Sequence, residues 1–169
     1  KSDVDIQILA IPGIRETKIT NHALEKTEER FDAIYLMDIE ERDILNNVVT
    51  ASNIQSISVG NTVDDFKSRT LDSSFGAAYF PDVVITDPTT RANVQCPPSV
   101  AVLGAFSLND SVSHPWFAPA GFTRGALNTG LESQVKLKRA NLDALYEADI
   151  NPITSFPHTP GVVVFGQKT

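Results

Sequence analysis

Short apolar runs separated by helix-like segments constrain the fold of this chain more than any other feature. Residues 5–11 and 33–39 each have the length and apolar content of a buried strand, and the second run shows little polar–apolar alternation. Such a run is typical of a strand that is covered on both faces. A helix is expected between them, beginning at Thr17 or Thr20 and reaching residue 30. Strands that alternate with helices predict an α/β fold, in which a layered mixed or largely parallel sheet is flanked by helices.

The same alternation continues to the end of the sequence. We expect a single domain over residues 1–169, because a chain of this length buries a sufficient core without disulfides or metals. The remaining elements expected are, in order, a helix over 40–51, a helix beginning at 62–66, strands at 76–81 and 83–85, a loop over 87–98, a helix over 100–108, an irregular segment punctuated by Pro and Gly over 109–130, a helix over 131–148 and a strand over 162–165.

The charge and the cysteine content exclude several classes of function. The net charge is −7, whereas domains that bind nucleic acid usually present a basic surface. The longest apolar runs are far too short to cross a bilayer. Cys96 is the single cysteine, so no disulfide framework forms within the chain, and a reducing compartment such as the bacterial cytoplasm is indicated. We therefore expect neither nucleic-acid binding nor membrane insertion.

No cofactor or metal site is expected from the motifs. The sequence contains neither a G-x-x-x-x-G-K-[ST] loop nor a G-x-G-x-x-G turn after a strand, and it contains no H-E-x-x-H pair. The three histidines, His22, His114 and His158, are scattered along the chain. We expect them to be surface or packing residues.

Ser99 is the one nucleophile candidate. It heads an apolar helix rich in small residues, a setting in which subtilisin-like peptidases place their catalytic serine, and Asp38 follows an early strand as their catalytic acid does. Their triad runs in the order acid, histidine, serine, but residues 39–98 contain no histidine. A serine without an imidazole to accept its proton is a poor nucleophile. We therefore expect Ser99 to be the N-cap of its helix and the chain to have no catalytic residues.

Five blocks in the second half of the chain, together with two near its start, follow a known pattern. The five blocks are S-F-G-A-A-Y-F-P (74–81), P-P-S-V-A-V-L-G (97–104), W-F-A-P-A-G (116–121), A-D-I-N-P-I (148–153) and G-V-V-V-F-G-Q-K-T (161–169), and the earlier ones are residues 8–13 and 30–38. In order and spacing they resemble the contractile tail sheath proteins of myophages, whose relatives are the sheaths of R-type bacteriocins and, more distantly, of type VI secretion systems. The resemblance covers most of the chain.

This resemblance implies a structural role rather than an enzymatic one. It implies a subtilisin-like α/β layer without a working triad, in a subunit that forms stacked hexameric rings and a helical polymer around the tail tube, above a baseplate. Contraction of that polymer drives the tube through the host envelope. The implied location is the phage tail in the virion, after synthesis in the host cytoplasm. Family members have a region before the first strand and a part after the G-x-K-T-like end, so we expect a middle piece without the terminal arms, monomeric in isolation.

Two groups of residues are candidate subunit contacts. Trp116 and Phe117 lie in the irregular segment. They either pin that segment to the core, or contact a neighbouring subunit or the C-terminal part that family members have. Lys136 and Arg139 belong to residues 111–140, which carry four basic residues against Glu132 alone in a chain that is otherwise acidic. This asymmetry indicates either ordinary solvated surface or a pair of complementary contact faces.

Two rival functions remain open from the sequence. One is a serine hydrolase, which the missing histidine argues against. The other is a catalytically inactive, hydrolase-like surface or decoration module of a virion. Only a sheath subunit should form hollow tubes.

Overall fold

A six-stranded sheet forms the centre of the computed structural model, which describes residues 5–50, 56–114, 116–127, 130–157 and 161–169. The strand order is β1 (Ile8–Ala10), β2 (Ile34–Asp38), β3 (Gly76–Phe80), β8 (Ile150–Thr154), β9 (Val162–Val164) and β6 (Ala126–Leu127). The first four strands are parallel, and the last two pair antiparallel. A second, antiparallel sheet has the order β5 (Asn93–Cys96), β4 (Val83–Thr86) and β7 (Gly130–Ser133).

Helices cover both faces of the six-stranded sheet. Three of them supply residues to the core on one face, namely α1 (Thr17–Arg30), α2 (Val59–Ser68) and α5 (Arg139–Glu147). On the other face lies α3 (Pro98–Val112), against which the short α4 (Gly121–Arg124) packs. Among the described helices, none combines the length and the apolar character that a membrane span requires. The predicted α/β architecture is confirmed.

The central strands are apolar on both faces, as their lack of alternation predicts. Successive side chains of a strand point to opposite faces of a sheet. In β2, Tyr35 and Met37 join the core on the α1 side, whereas Leu36 joins the core on the α3 side. In β3, Phe80 joins the core on the α1 side, whereas Tyr79 joins the core on the α3 side. Both strands are therefore buried from two sides.

The helix expected over 40–51 is wrong, and side-chain hydrogen bonds explain why. The carboxylate of Asp43 accepts bonds from the backbone N–H and the side-chain amide of Asn47, at 2.8 and 3.2 Å. Aspartate and asparagine side chains that bond locally in this way favour turns over helices. Asp43 also pairs with Ile57 in an isolated antiparallel bridge. Residue 51, the last of the expected helix, lies outside the described residues.

The helix expected over 131–148 begins only at Arg139. The residues before it belong to β7 or to the connection that follows, because Glu132 pairs with Val84 of β4 and the backbone N–H of Gln134 donates to the carbonyl of Asp82 at 2.9 Å. Sheet pairing therefore overrides the helical pattern in this part of the chain. The end of the helix was predicted to within a residue, since α5 ends at Glu147.

Short elements also occupy segments that were expected to be irregular. The strand β5 lies within the expected loop over 87–98, whereas α4 and β6 lie within the segment 109–130. The helix α3 extends to Val112, beyond the expected end at residue 108. Asn151 and Pro152, which follow the expected helix over 131–148, lie in the buried strand β8. Short runs interrupted by polar residues or proline show no clear periodic pattern.

Candidate functional site

Asp38 and Ser99 meet at the carboxyl edge of the parallel strands. Asp38 ends β2, and Ser99 is the second residue of α3. The Ser99 hydroxyl and backbone N–H donate to the two carboxylate oxygens of Asp38 at 2.8 and 2.9 Å, and the N–H of Gly13 donates a third bond at 2.9 Å. Burial raises the pKa of Asp38, while these three bonds act to lower it. The predicted N-cap role of Ser99 is wrong, because Pro97 holds the cap position and Ser99 lies inside the helix.

No imidazole reaches this pair among the described residues. His22 lies exposed on α1 near Glu25, and His114 stacks on the indole of Trp116 with ring centroids 4.5 Å apart. His158 lies outside the described residues. The Ser99 hydroxyl donates a hydrogen bond to the Asp38 carboxylate, which also accepts hydrogen bonds from two backbone N–H groups. This geometry fixes the start of a helix and offers the serine no general base of the usual kind.

A buried ionic cluster lies beside the Asp38–Ser99 pair. The Arg15 guanidinium contacts the carboxylate of Glu41 at 3.0 Å and also bonds to that of Asp82. The side-chain amide of Gln95 donates to the other oxygen of Asp82 at 2.6 Å. Both carboxylates are almost fully buried, and Arg15 is largely so. We call Arg15, Asp38, Glu41 and Asp82 the carboxylate cluster.

The carboxylate cluster holds more negative than positive charge. Burial raises the pKa of Glu41 to about 7, with the nearby Asp82 adding to the shift and Arg15 opposing it. One arginine therefore does not fully compensate the buried carboxylates. The cluster joins the loops that follow β1 and β2 to β5 and the turn before β4, so its charges hold the carboxyl edge together. No group of residues able to hold a metal ion occurs in the described part of the chain.

A cleft opens next to the carboxylate cluster. Its volume is about 550 Å³, and Arg15, Glu41, Asp82 and Gln95 line its inner wall. Glu16 and Glu40 add further negative charge at its edge. The cleft is lined by more acidic than basic side chains.

A second depression lies at the opposite, amino edge of the sheet. We call it the amino-edge groove; its volume is about 310 Å³. It is lined by side chains of the α1-side core, namely Leu24, Met37, Phe66, Leu71, Ala78 and Ala148, together with the polar residues Thr70, Ser73, Ser74 and Thr169. Exposed Asp72 and Glu147 lie at its mouth with Lys67, and Asp149 lies there paired with Lys168 at 2.8 Å. The exposed lining of the groove is therefore more polar than apolar.

Aromatic side chains cluster on the α3 side of the molecule. Trp116 is 76% exposed, Phe122 is 54% exposed and Phe165 is 44% exposed. The rings of Phe122 and Phe165 each lie within 5.0 Å of Phe156, centroid to centroid. Arg124, on the same short helix as Phe122, lies 3.8 Å from the ring centroid of Phe117. We call these residues the basic aromatic patch.

Parts of the chain are similar in sequence to phage proteins. The tail sheath protein of Vibrio phage KVP40 is 43% identical over 68 residues, which are 40% of this chain and 10% of that protein. The tail sheath protein of Enterobacteria phage T4 is 31% identical over 83 residues, which are 49% of this chain and 12% of that protein. Over these stretches the chain is similar to phage tail sheath proteins. The matched parts span only about a tenth of those relatives, and no family model matches the sequence.

The fold of this chain also occurs in solved assemblies. A chain of the contracted helical sheath of the anti-feeding prophage aligns with a TM-score of 0.63 at 22% identity, over 97% of this chain and 39% of that one. A chain of the anti-feeding prophage baseplate aligns with a TM-score of 0.66 at 21% identity, over 96% of this chain and 38% of that one. At these identities the likeness concerns the fold.

The predicted contact residues lie apart from the carboxylate cluster. Trp116 is exposed, so it does not pin its segment to the core; Phe117 is half-buried. Lys136 and Arg139 are exposed, but they do not share a helical face as the expected helix implied. Lys136 precedes α5, and Arg139 is its first residue. Their role as subunit contacts stays a prediction.

Neither the carboxylate cluster nor the amino-edge groove was predicted from the sequence. Arg15, Glu41 and Asp82 come from three separate connections, each of which resembles an ordinary polar loop in the sequence. The signal available was position, because polar residues that follow parallel strands converge at one edge of the sheet. The Phe122 part of the basic aromatic patch was missed since Phe156 and Phe165 come from distant segments.

Proposed function

We propose that this chain is the α/β domain of a structural subunit of a contractile phage tail sheath. The subunit polymerises around the tail tube and contracts to drive the tube through the host envelope. The observation that carries the proposal is the 43% identity to the KVP40 tail sheath protein. The fold, which is shared with a chain of a contracted sheath, supports it independently.

The domain acts in this assembly without catalysis. The layer of parallel strands resembles that of subtilisin-like enzymes, with Asp38 and Ser99 at its carboxyl edge, but Ser99 bonds directly to Asp38 at 2.8 Å. A serine held in this way serves to join β2 to α3. A serine-reactive fluorophosphonate probe should therefore leave the chain unlabelled. Labelling that disappears in Ser99→Ala would contradict this part of the proposal.

The partners are other copies of the same subunit, in stacked hexameric rings and a helical polymer, together with the tail tube and the baseplate. Trp116, Phe117, Lys136 and Arg139 are the subunit contacts that we propose. The exposure of Trp116, Lys136 and Arg139 supports this assignment, because a contact residue must be accessible before assembly. The protein is made in the host cytoplasm and resides in the tail of the virion.

Electron microscopy of the complete protein that contains this chain tests the proposal. Purified complete protein should form hollow tubes whose bore accommodates a tail tube. Chain 1–169 alone should remain monomeric in light scattering at micromolar concentration, with a mass near 18.4 kDa. A complete protein that stays monodisperse under all assembly conditions would contradict a sheath role and favour a surface module.

A further inference from the structure

Tyr35 carries a buried hydroxyl without a hydrogen-bond partner among the described residues. The residue is fully buried on β2, in the core on the α1 side of the sheet. Tyr79, the other fully buried tyrosine, bonds through its hydroxyl to the side-chain oxygen of Gln167 at 2.9 Å. Because a buried polar group without a hydrogen bond costs free energy, we expect the Tyr35 hydroxyl to have a partner as well.

Arg69 supplies a second buried atom of this kind. It follows α2 as the C-cap residue, and its Nη2 donates to the hydroxyl of Thr20 at 2.9 Å and to the side-chain oxygen of Asn21. Its Nε is shielded from solvent and has no partner among the described residues. One nitrogen of the guanidinium therefore holds Arg69 against α1, while the N–H of another nitrogen is unused.

The Tyr35 hydroxyl and the Arg69 guanidinium act on each other electrostatically. Burial raises the pKa of Tyr35 to about 12, with Asp38 adding to the shift and Arg69 opposing it. Burial lowers the pKa of Arg69, whereas Glu40, Tyr35 and Asp65 oppose that shift. The two groups therefore lie near each other in the same buried region, although no direct hydrogen bond joins them. A water molecule commonly bridges polar groups that are near but not in contact.

We propose that one buried water molecule bridges the hydroxyl of Tyr35 and the Nε of Arg69. The water accepts the N–H of Arg69 and forms its second bond with the Tyr35 hydroxyl, which is able both to donate and to accept. Two polar partners meet the minimum that a buried water requires. This inference goes beyond the proposed sheath function and does not depend on it.

The charges around the pair favour a neutral ligand over an anion. Arg42 contacts the carboxylates of Glu40 and Asp65, each at 2.9 Å. The same two carboxylates act on Arg69. Two arginines therefore face two carboxylates, so an anion would add an unbalanced negative charge to a buried region, which is costly. A water molecule supplies hydrogen bonds without adding charge.

The bridging water joins three elements on the α1 side of the sheet. Arg69 connects the end of α2 to Thr20 and Asn21 of α1, and the water extends this connection to Tyr35 of β2. Phe66, one turn earlier in α2, packs against the same core, and its ring centroid lies 5.3 Å from the Arg69 guanidinium carbon. The water thereby positions the end of α2 on the central sheet.

Removing the hydroxyl distinguishes a bridged group from an unpaired one. We expect Tyr35→Phe to raise the equilibrium constant for unfolding about fivefold, as the loss of a typical hydrogen bond does. The matched control is Tyr79→Phe, which removes the direct bond to Gln167 and should raise the constant by a similar factor. Urea denaturation followed by circular dichroism measures both. A constant that stays the same or falls in Tyr35→Phe would overturn the inference, because removing an unpaired buried hydroxyl relieves a cost.

A double-variant cycle tests whether Arg69 is the second partner of the water. Arg69→Lys keeps the positive charge of the side chain but removes the Nε. Because residues that share a bridging water are coupled, we expect Tyr35→Phe to have a smaller effect on the unfolding constant in the Arg69→Lys chain than in the wild type. Equal effects in the two chains would overturn the assignment of Arg69.

A high-resolution crystal structure of the chain observes the site directly. It should show one density peak within hydrogen-bond distance of both the Tyr35 hydroxyl oxygen and the Arg69 Nε. That peak should not take up bromide when the crystal is soaked. An absent peak would overturn the inference, and so would bromide at this position, because an anion would then occupy the site. Neither result depends on tube formation, so the sheath function is tested separately.

Discussion

The hydroxyl of Ser99 donates a hydrogen bond of 2.8 Å to the carboxylate of Asp38, across 61 positions of sequence. The same carboxylate also accepts the backbone N–H of Ser99, one of the unpaired donors in the first turn of α3. Asp38 thus performs at long range the capping role that the sequence assigned to Ser99. Because Asp38 ends β2, the pair fixes the start of one helix on the central sheet.

Loss of this bond should be measurable in stability. We expect Ser99→Ala to lower the free energy of unfolding by about 1–3 kcal/mol, because a buried carboxylate loses a donor that no water replaces. Urea denaturation followed by circular dichroism measures the change. Ser111→Ala is the matched control, since its hydroxyl is exposed and bonds only to the carbonyl of Leu108. That variant should change stability by less than about 0.5 kcal/mol. Equal effects of the two substitutions would contradict the role assigned to Ser99.

The carboxylate cluster should make stability depend on pH. Burial raises the pKa of Glu41 from 4.5 to about 7 in the folded state. The folded protein therefore binds more protons than the unfolded chain in this window, and stability from Glu41 is complete below pH 4.5 and is lost as the pH rises through 7. Glu41→Gln removes this loss. We expect the stability of Glu41→Gln relative to wild type to increase between pH 5 and pH 8.

Urea denaturation at intervals across that range measures the difference. Glu28→Gln is the control, because Glu28 is exposed on α1 and lies away from the cluster. Its stability relative to wild type should not vary with pH. A flat difference for Glu41→Gln as well would show that Glu41 does not titrate in this range.

The sequence predicted β1, β2 and β3 of the parallel core because each contains an apolar run, and it missed the fourth parallel strand, β8. The bounds of α1 and β2 agree with the expected ones to within a residue at most of their ends. It failed where local chemistry or long-range pairing decided the structure. Asp43 converts an expected helix into a turn through its own side chain, and Glu132 enters a sheet through its pairing with Val84. Neither the side-chain hydrogen bond nor the distant strand pairing can be recognised from the periodicity of the local sequence.

The candidate sites were less predictable than the fold for the same reason. Trp116 was selected because it lies outside any periodic element, and its exposure agrees with a contact role. The amino-edge groove is formed by α1, α2, β3 and the end of α5. Proximity among four distant segments depends on the tertiary fold, so no local pattern indicates it.

Trp116 should contribute little to the stability of the isolated domain. Because 76% of the residue is exposed, we expect Trp116→Ala to change the free energy of unfolding by less than about 0.5 kcal/mol. Leu145→Ala is the contrasting variant, since Leu145 is fully buried on α5, and it should cost about 2–5 kcal/mol. Thermal denaturation followed by circular dichroism compares the two. A loss for Trp116→Ala as large as that for Leu145→Ala would mean that the indole is a core residue.

The basic segment offers a test of assembly that is independent of Trp116. Lys136 and Arg139 are exposed, and neither makes an ion pair within the described part of the chain. Reversing both to glutamate should therefore leave the isolated domain folded.

We expect the same double reversal to impair polymerisation of the complete protein, because a lattice repeats each exposed contact of about 0–1 kcal/mol many times. The size of the difference between variant and wild type should depend on salt, since exposed charge contacts are screened. Reversal of Lys18 and Lys26 on α1 makes the same change in net charge at a different surface and should leave tube formation intact. Normal tubes from the Lys136 and Arg139 reversal at low salt would mean that this basic segment is ordinary solvated surface.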